Sequence, residues 1–319
     1  MALSPKLLRQ FLLWLVIGIA VYGIAVVIGG VEEIKASLSQ IGGLGWAAVI
    51  GLSTFNIAVR FVRWQYYLRT LGHAIPVWPS LQYFLAGFAF TSTPAKAGEA
   101  VRSLYLKRDG VSYSASLGAL FVERLTDLLA VVLLALLVAY QFDDYRWLVV
   151  LAGIATLAVL PLIHSRLLRS LLAAASTRIK QEKLSDGLNS IIRLLDSSAA
   201  LLRSGPLYGG MLLSLLAASA VCMMMYVALQ LLSVDISPSL ALGIYATGIL
   251  AGALSFLPGG IGSAEAVMIA LLAVAGVDLP TAAAATLVCR IAALWYSIAM
   301  GIVIVLLLEY QTSKSPEGS

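Results

Sequence analysis

The sequence predicts an all-α, polytopic membrane protein: about six full spans plus two re-entrant helical hairpins arranged as an inverted repeat. Three observations predict it. The chain is 61% hydrophobic and 12% charged, with a mean hydropathy of +0.95, whereas soluble domains are about 45–50% apolar and about 25% charged. Its apolar residues come in continuous runs, most long enough to cross a bilayer as helix, without the alternation of barrel strands. Two distant stretches share Glu, Gly and Arg at one offset of 166 residues. The 319 residues leave little room for a separate soluble domain, so residues 1–319 read as one transmembrane domain.

The first span is expected at 11–29, after Lys6 and Arg9. Its apolar core exceeds that of a signal peptide and no small-x-small cleavage site follows, so it reads as an uncleaved anchor. The second span is 44–68, with Arg60, Arg63 and Arg69 expected to close it on the cytoplasmic side. Segments 77–93 and 95–109 form the first hairpin. Spans 113–140 and 145–164 follow, joined by the acidic "QFDDYR", which reads as outside. Segment 166–203 alternates Leu/Ile clusters with basic groups and reads as an amphipathic helix on the inner leaflet, or a cytosolic helical hairpin. Span 206–232, a second hairpin at 240–257 and 260–275, and a last span at 281–308 complete the chain. "SVDISPS" and "GVDLP" carry no Lys or Arg and read as outside. The positive-charge distribution places both termini inside, in a cytoplasmic (inner) membrane. Each hairpin then enters and leaves on one side, the two from opposite faces. Two short full spans would give the same sidedness. Arms of 15–18 residues are marginal for spanning, which favours re-entrant geometry.

The repeats run from about 44 to 140 and from about 206 to 308. Glu99-Ala100-Val101 matches Glu265-Ala266-Val267, Gly110-Val111 matches Gly276-Val277, and Arg124 matches Arg290, all without a gap. Pro94 and Pro258 align with a two-residue slip. Inverted repeats are common in secondary transporters and bring short helix ends toward the midplane. They need irregular backbone there, which is tolerated only against protein or a wet cavity. "STPAKAG" and "LPGGIGS" supply it: Pro94 and Pro258 break helices, and Gly98, Gly259, Gly260 and Gly262 accept unusual backbone angles.

Ionisable groups at depth are the candidate site. Glu123, Arg124 and Asp127 lie near the middle of one span and Arg290 lies within the last. Each charge at a helix centre costs about 2.5–3.5 kcal/mol on insertion scales, so such groups face protein or water and pair. Arg124 and Asp127 are three apart and can meet along the helix. Glu99 and Glu265 open the second hairpin arms, where they either cap the helix or partner an arginine across a cavity. Lys96 and Arg102 lie deeper than Lys107, Arg108 and Asp109, which read as a solvated turn. An ion-pair network that only locks helices together is the alternative for Glu123 and Asp127. Cys222 and Cys289 sit in apolar runs and suggest neither a disulfide framework nor a metal site. No Walker loop, HExxH, Cys/His cluster or GxSxG occurs, so no cofactor, metal or nucleic-acid partner is expected.

These residues resemble the lysylphosphatidylglycerol synthase transmembrane-region, or flippase-like domain, family. "PAKAGEAVR" at 94–102 is similar to its first signature, with Lys96 in place of the usual Arg. "ERLTD" at 123–127, "LPGGIGSAE" at 257–265 with Arg290 downstream, and "RFVRW" at 60–64 carry the rest. In multidomain relatives the region looks like the part that moves an aminoacylated phospholipid between leaflets, followed by a soluble synthase domain. Other relatives are associated with polyprenyl-phosphate sugar metabolism. This sequence stops at Ser319, so synthesis of aminoacyl lipids is not expected.

The expected function is therefore flipping of a phospholipid or lipid-linked phosphate through a polar cavity between the repeats, with anionic or phosphate-bearing membrane lipids as partners. Arg102, Arg124 and Arg290 would hold the phosphate by charge-assisted bonds. Glu99 and Glu265 would orient them or neutralise a cationic headgroup. Two alternatives belong to other classes. One is a membrane enzyme acting on a polyprenyl- or glycerophospholipid-linked substrate, with Glu123 or Asp127 as acid/base. The other is an ion-coupled solute transporter.

Overall fold

The computed structural model describes residues 31–91, 100–139, 146–164, 170, 196, 198–255 and 257–314. The expected first span, most of segment 166–203, and Pro94, Lys96, Gly98 and Glu99 lie outside the described residues. All regular structure among the described residues is helical. The helices are α1 (Val31–Gln40), α2 (Gly42–Thr70), α3 (Val77–Ala86), α4 (Arg102–Arg108), α5 (Tyr113–Ala139), α6 (Arg146–His164), α7 (Ser204–Leu231), α8 (Pro238–Leu254), α9 (Ser263–Val274), α10 (Leu279–Arg290) and α11 (Tyr296–Lys314). Short 3-10 turns occupy Gly87–Phe90 and Pro258–Gly260, and a π turn at Ile291–Trp295 joins α10 to α11.

Three of these units are long and apolar enough to cross a membrane: Gly42–Thr70, Ser204–Leu231 and the continuous Leu279–Tyr310. Helix α5 has 27 residues, but Glu123, Arg124 and Asp127 interrupt its apolar face. The protein is a multi-pass membrane protein. Among the described residues one order of helices occurs twice: long, short, short, long, with the Pro258–Gly260 turn between the two short helices of the second set. It runs α2 to α5 and then α7 to α11.

Helix ends follow local chemistry. Helix α2 stops where Gly72 takes φ +86°, with the His73 N–H donating to the Leu68 carbonyl. Ser237 caps α8, accepting from the Leu240 N–H, with Pro238 at the first helical position. Asp278 caps α10, accepting from the Thr281 N–H at 3.0 Å. That bond holds the exposed Asp278 carboxyl below the usual carboxylate range.

The core runs through the middle of the bundle. Helix α2 packs most extensively against α7, and α8 against α5. Trp64, Tyr67, Phe84, Met224, Met225 and Tyr245 are fully buried there. Glycine sets one critical approach. A Cβ on Gly301 of α11 would fall into the backbone of the Gly87–Phe90 turn, 2.8 Å from the Phe88 carbonyl carbon and closer still to the Ala89 nitrogen. Backbone cannot swing aside as a side chain can. Gly301→Ala is therefore expected to lose about 1–3 kcal/mol, read as a lower midpoint of thermal unfolding in detergent. An unchanged midpoint would mean that the two elements do not touch.

Candidate functional site

A cavity of about 400 Å³ lies where α2, α5, α7 and α8 meet the Pro258–Gly260 break and the π turn. Its polar lining comes from Asn56 and Arg60 of α2, Thr91 directly after the Gly87–Phe90 turn, Arg124 and Asp127 of α5, Ser214 of α7, and Arg290 and Ser297. Phe88, Val131, Tyr245, Ile249 and Leu250 supply apolar wall. Leu128 and Leu257 also line it while being 46% and 47% exposed, so the polar floor borders the apolar outer surface.

Asp127 is the hub of one half. Arg63 Nη1 donates to its Oδ1 at 2.5 Å, Arg124 Nη2 lies 3.4 Å from its Oδ2, and Arg60 Nη2 lies 3.7 Å from the same oxygen. Arg63 is buried and also donates to the Ser214 hydroxyl and, at 3.4 Å, to Thr126. The Arg124–Asp127 pair spans one turn of α5, as the spacing of three predicts. Arg60 and Arg63 are likewise three apart and so share a face of α2.

Arg290 and Glu265 form the second half. Arg290 Nε donates to Glu265 Oε1 at 2.6 Å, and Arg290 Nη2 donates to the Gly259 carbonyl at 2.7 Å. The Gly262 N–H donates to Glu265 Oε2 at 2.7 Å. Glu265 therefore does both things expected of it: it caps α9 and it grips an arginine from another helix. The break backbone makes this possible. Gly259, Gly260 and Gly262 take φ values of +63°, +64° and +89°, a region closed to most L-residues. A Cβ on Gly260 would lie 2.8 Å from the Gly252 Cα, so the break also needs glycine to sit against α8. The π turn begins directly after Arg290. Such wide turns often mark functional sites. At Arg124, 166 residues earlier in the sequence, α5 continues as regular helix.

Arg102 and Glu123 lie elsewhere. They form a pair that is 3% and 1% exposed, outside the cavity lining. The Arg102 guanidinium sits 4.2 Å from the Trp64 ring centroid, and Trp64 Nε1 donates to Ser80. Of the expected site residues, the structure thus brings Arg124, Asp127 and Arg290 to one cavity, with Glu265 one bond behind, and sets Arg102 and Glu123 apart.

Arg60 and Arg63 were assigned to the cytoplasmic end of the second span by charge bookkeeping. The structure corrects this. They stand ten and seven residues before the end of α2, in the bundle interior, while Arg69 occupies the end. The i, i+3 spacing inside an apolar run was the signal that could have found them.

The sequence model of a family described as the lysylphosphatidylglycerol synthase TM region matches residues 15–301, which takes in every cavity residue. The chain is similar to two proteins of Methanothermobacter thermautotrophicus, each named a UPF0104 membrane protein. One is 26% identical over 307 residues, covering 90% of this chain and 82% of its own. The other is 23% identical over 312 residues, covering 90% and 92%.

Proposed function

Since the chain belongs to the lysylphosphatidylglycerol synthase TM region family, we propose that it moves a lipid with a phosphate-bearing headgroup between leaflets. One observation carries this reading: Arg60, Arg124 and Arg290 line one cavity that borders exposed Leu128 and Leu257. A headgroup phosphate meets guanidinium donors inside, by charge-assisted hydrogen bonds. Acyl chains stay outside against leucine and lipid.

The depth of the charges supports passage across the bilayer. Arg60 lies ten residues from the end of α2, and Arg124 and Arg290 each lie eleven residues from the start of their helices. At 1.5 Å per residue each is about 15–17 Å from a helix end, half of a hydrocarbon core of about 30 Å. The short arms support the re-entrant reading: α9 has 12 residues and α4 seven, about 18 Å and 10 Å of helix. Two such hairpins entering from opposite faces make an inverted repeat whose rocking exposes the cavity to one leaflet and then the other. Lys96 and Glu99, on the opening of the first hairpin, complete the headgroup site in this proposal.

The test is reconstitution in liposomes with tail-labelled lipids. Arg124→Ala and Arg290→Ala are each expected to slow movement of the preferred lipid at least about tenfold, the equivalent of one charged hydrogen bond. If both variants move every lipid as fast as the parent, the cavity is not the path.

A further inference from the structure

We propose that the acyl chains of the moving lipid pass through a slot between α5 and α8, which meet at Gly243 and part toward Leu128 and Leu257. This rests on the flippase reading of the cavity and deepens it, by naming the pair of helices that admits the lipid.

The two helices run antiparallel. Gly243, in the second turn of α8, meets Val138, next to the last residue of α5. A Cβ on Gly243 would lie 2.7 Å from the Val138 nitrogen and 2.9 Å from its Cγ2. Backbone therefore approaches backbone at this end, and nothing passes between. Tyr245, 1% exposed, bounds the cavity beside this contact.

Away from the contact the pair changes character. Val131 lies seven residues back along α5 and Leu250 seven residues on along α8, each about 10 Å from the contact. Both are half-buried and both line the cavity. Farther still, Leu128 on one side and Ala253 and Leu257 on the other line the same cavity and are exposed. The pair is thus clamped at one end and flanks a cavity that reaches the outer surface toward the other.

The chemistry of this mouth fits an amphiphile. Its rim is apolar, formed by Leu128, Val131, Leu250, Ala253 and Leu257, while Arg60, Arg124 and Arg290 line the same cavity. A lipid placed there keeps its polar end among guanidinium groups and its tails against the rim. A water-soluble solute gains nothing from such a rim. Depth agrees. Leu128 is 15 residues from the start of α5 and 11 from its end, about 22 and 16 Å along the helix. The slot therefore opens beside the hydrocarbon, whose thickness is about 30 Å.

The experiment uses the full chain carrying Leu128→Cys and Leu257→Cys, reconstituted in liposomes. Cys222 and Cys289 are 1% and 0% exposed and form the unreactive background, checked by treating the parent with the same reagents. Bis-thiosulfonate reagents of graded length tie the two introduced thiols, and dithiothreitol releases them. The probes are tail-labelled phosphatidylglycerol, phosphatidate and phosphatidylethanolamine. Tying the slot is expected to slow the fastest of them at least about tenfold relative to the same protein untied, and release restores the rate. A tied protein that moves lipid at its untied rate overturns the slot and leaves the flippase reading standing. Failure of every reagent to join the thiols within one chain, or joining only between two chains, also overturns the slot. No probe moving above protein-free vesicles with the parent overturns both readings.

A tie also restrains rocking, so a second variant narrows the slot without tying it. Ala253 is exposed and accepts a larger side chain. Ala253→Trp is expected to slow the fastest two-chain lipid at least about tenfold and its single-chain lyso form less than about threefold, since one tail needs less width. Equal slowing of the two overturns the passage of tails between α5 and α8.

Discussion

Asp127→Asn is expected to be among the most destabilising single substitutions in the chain, at about 3–5 kcal/mol. The cause is Arg63 rather than Asp127 itself. The Arg63 side chain is 1% exposed and its charged partner is Asp127 at 2.5 Å. Asparagine keeps the shape and one acceptor but removes the counter-charge, leaving the guanidinium in the bundle interior with neutral partners, the amide oxygen and the Ser214 and Thr126 hydroxyls, among the described residues. Arg60 and Arg124 lose the same neutralising charge, though both are more exposed. The midpoint of thermal unfolding in detergent should fall by on the order of 10 °C. Asp127→Glu keeps the charge and should fall much less. A midpoint within about 2 °C of the parent for Asp127→Asn would show that Arg63 is solvated and the hub is wrongly drawn.

The second large effect concerns the pair outside the cavity. Arg102→Met removes the cation bonded to Glu123 among the described residues; Glu123 is 1% exposed, and the loss is expected to cost about 3–5 kcal/mol. The long Met side chain keeps contact with the Trp64 face that Arg102 now covers. The double variant Arg102→Met with Glu123→Leu should return to within about 1 kcal/mol of the parent, because replacing both ions by apolar groups removes the unpaired charge. A double variant as unstable as the single one would contradict a simple pair. Its transport rate separates two roles. A rate near the parent's puts these residues beside the path as helix locks. Loss of movement in a well-folded double variant puts Arg102 in contact with the headgroup.

Local chemistry made much of the fold legible. Ser237 with Pro238, and Asp278 with Pro280, announce helix starts that the structure places there. The glycines after Pro258 announce a break, and three of them take positive φ. Glu265 at the start of α9 and Arg290 at the same offset as Glu99 and Arg124 were visible as a constellation before any coordinates. What misled was one rule applied two to three turns too far. Positive charge near a span end usually marks the cytoplasmic boundary, and Arg69 does lie in the last turn of α2. Arg60 and Arg63 lie two to three turns deeper, and their carboxylate partner is on another helix, 64 residues on for Arg63.

By itself the sequence determined that the chain is helical, that it lies in a membrane, where its helices break, and that ionisable groups sit within its apolar runs. Each of these is a property of a segment and its immediate neighbours: hydropathy, capping, proline and glycine. Only the tertiary structure decided which arginine meets which carboxylate. It put Arg63 rather than Arg124 closest to Asp127, sent Arg102 to Glu123 and away from the cavity, and placed a π turn directly after Arg290. Those choices depend on the rotation and crossing of packed helices, set by the whole core at once, and the spacing along one helix does not encode them.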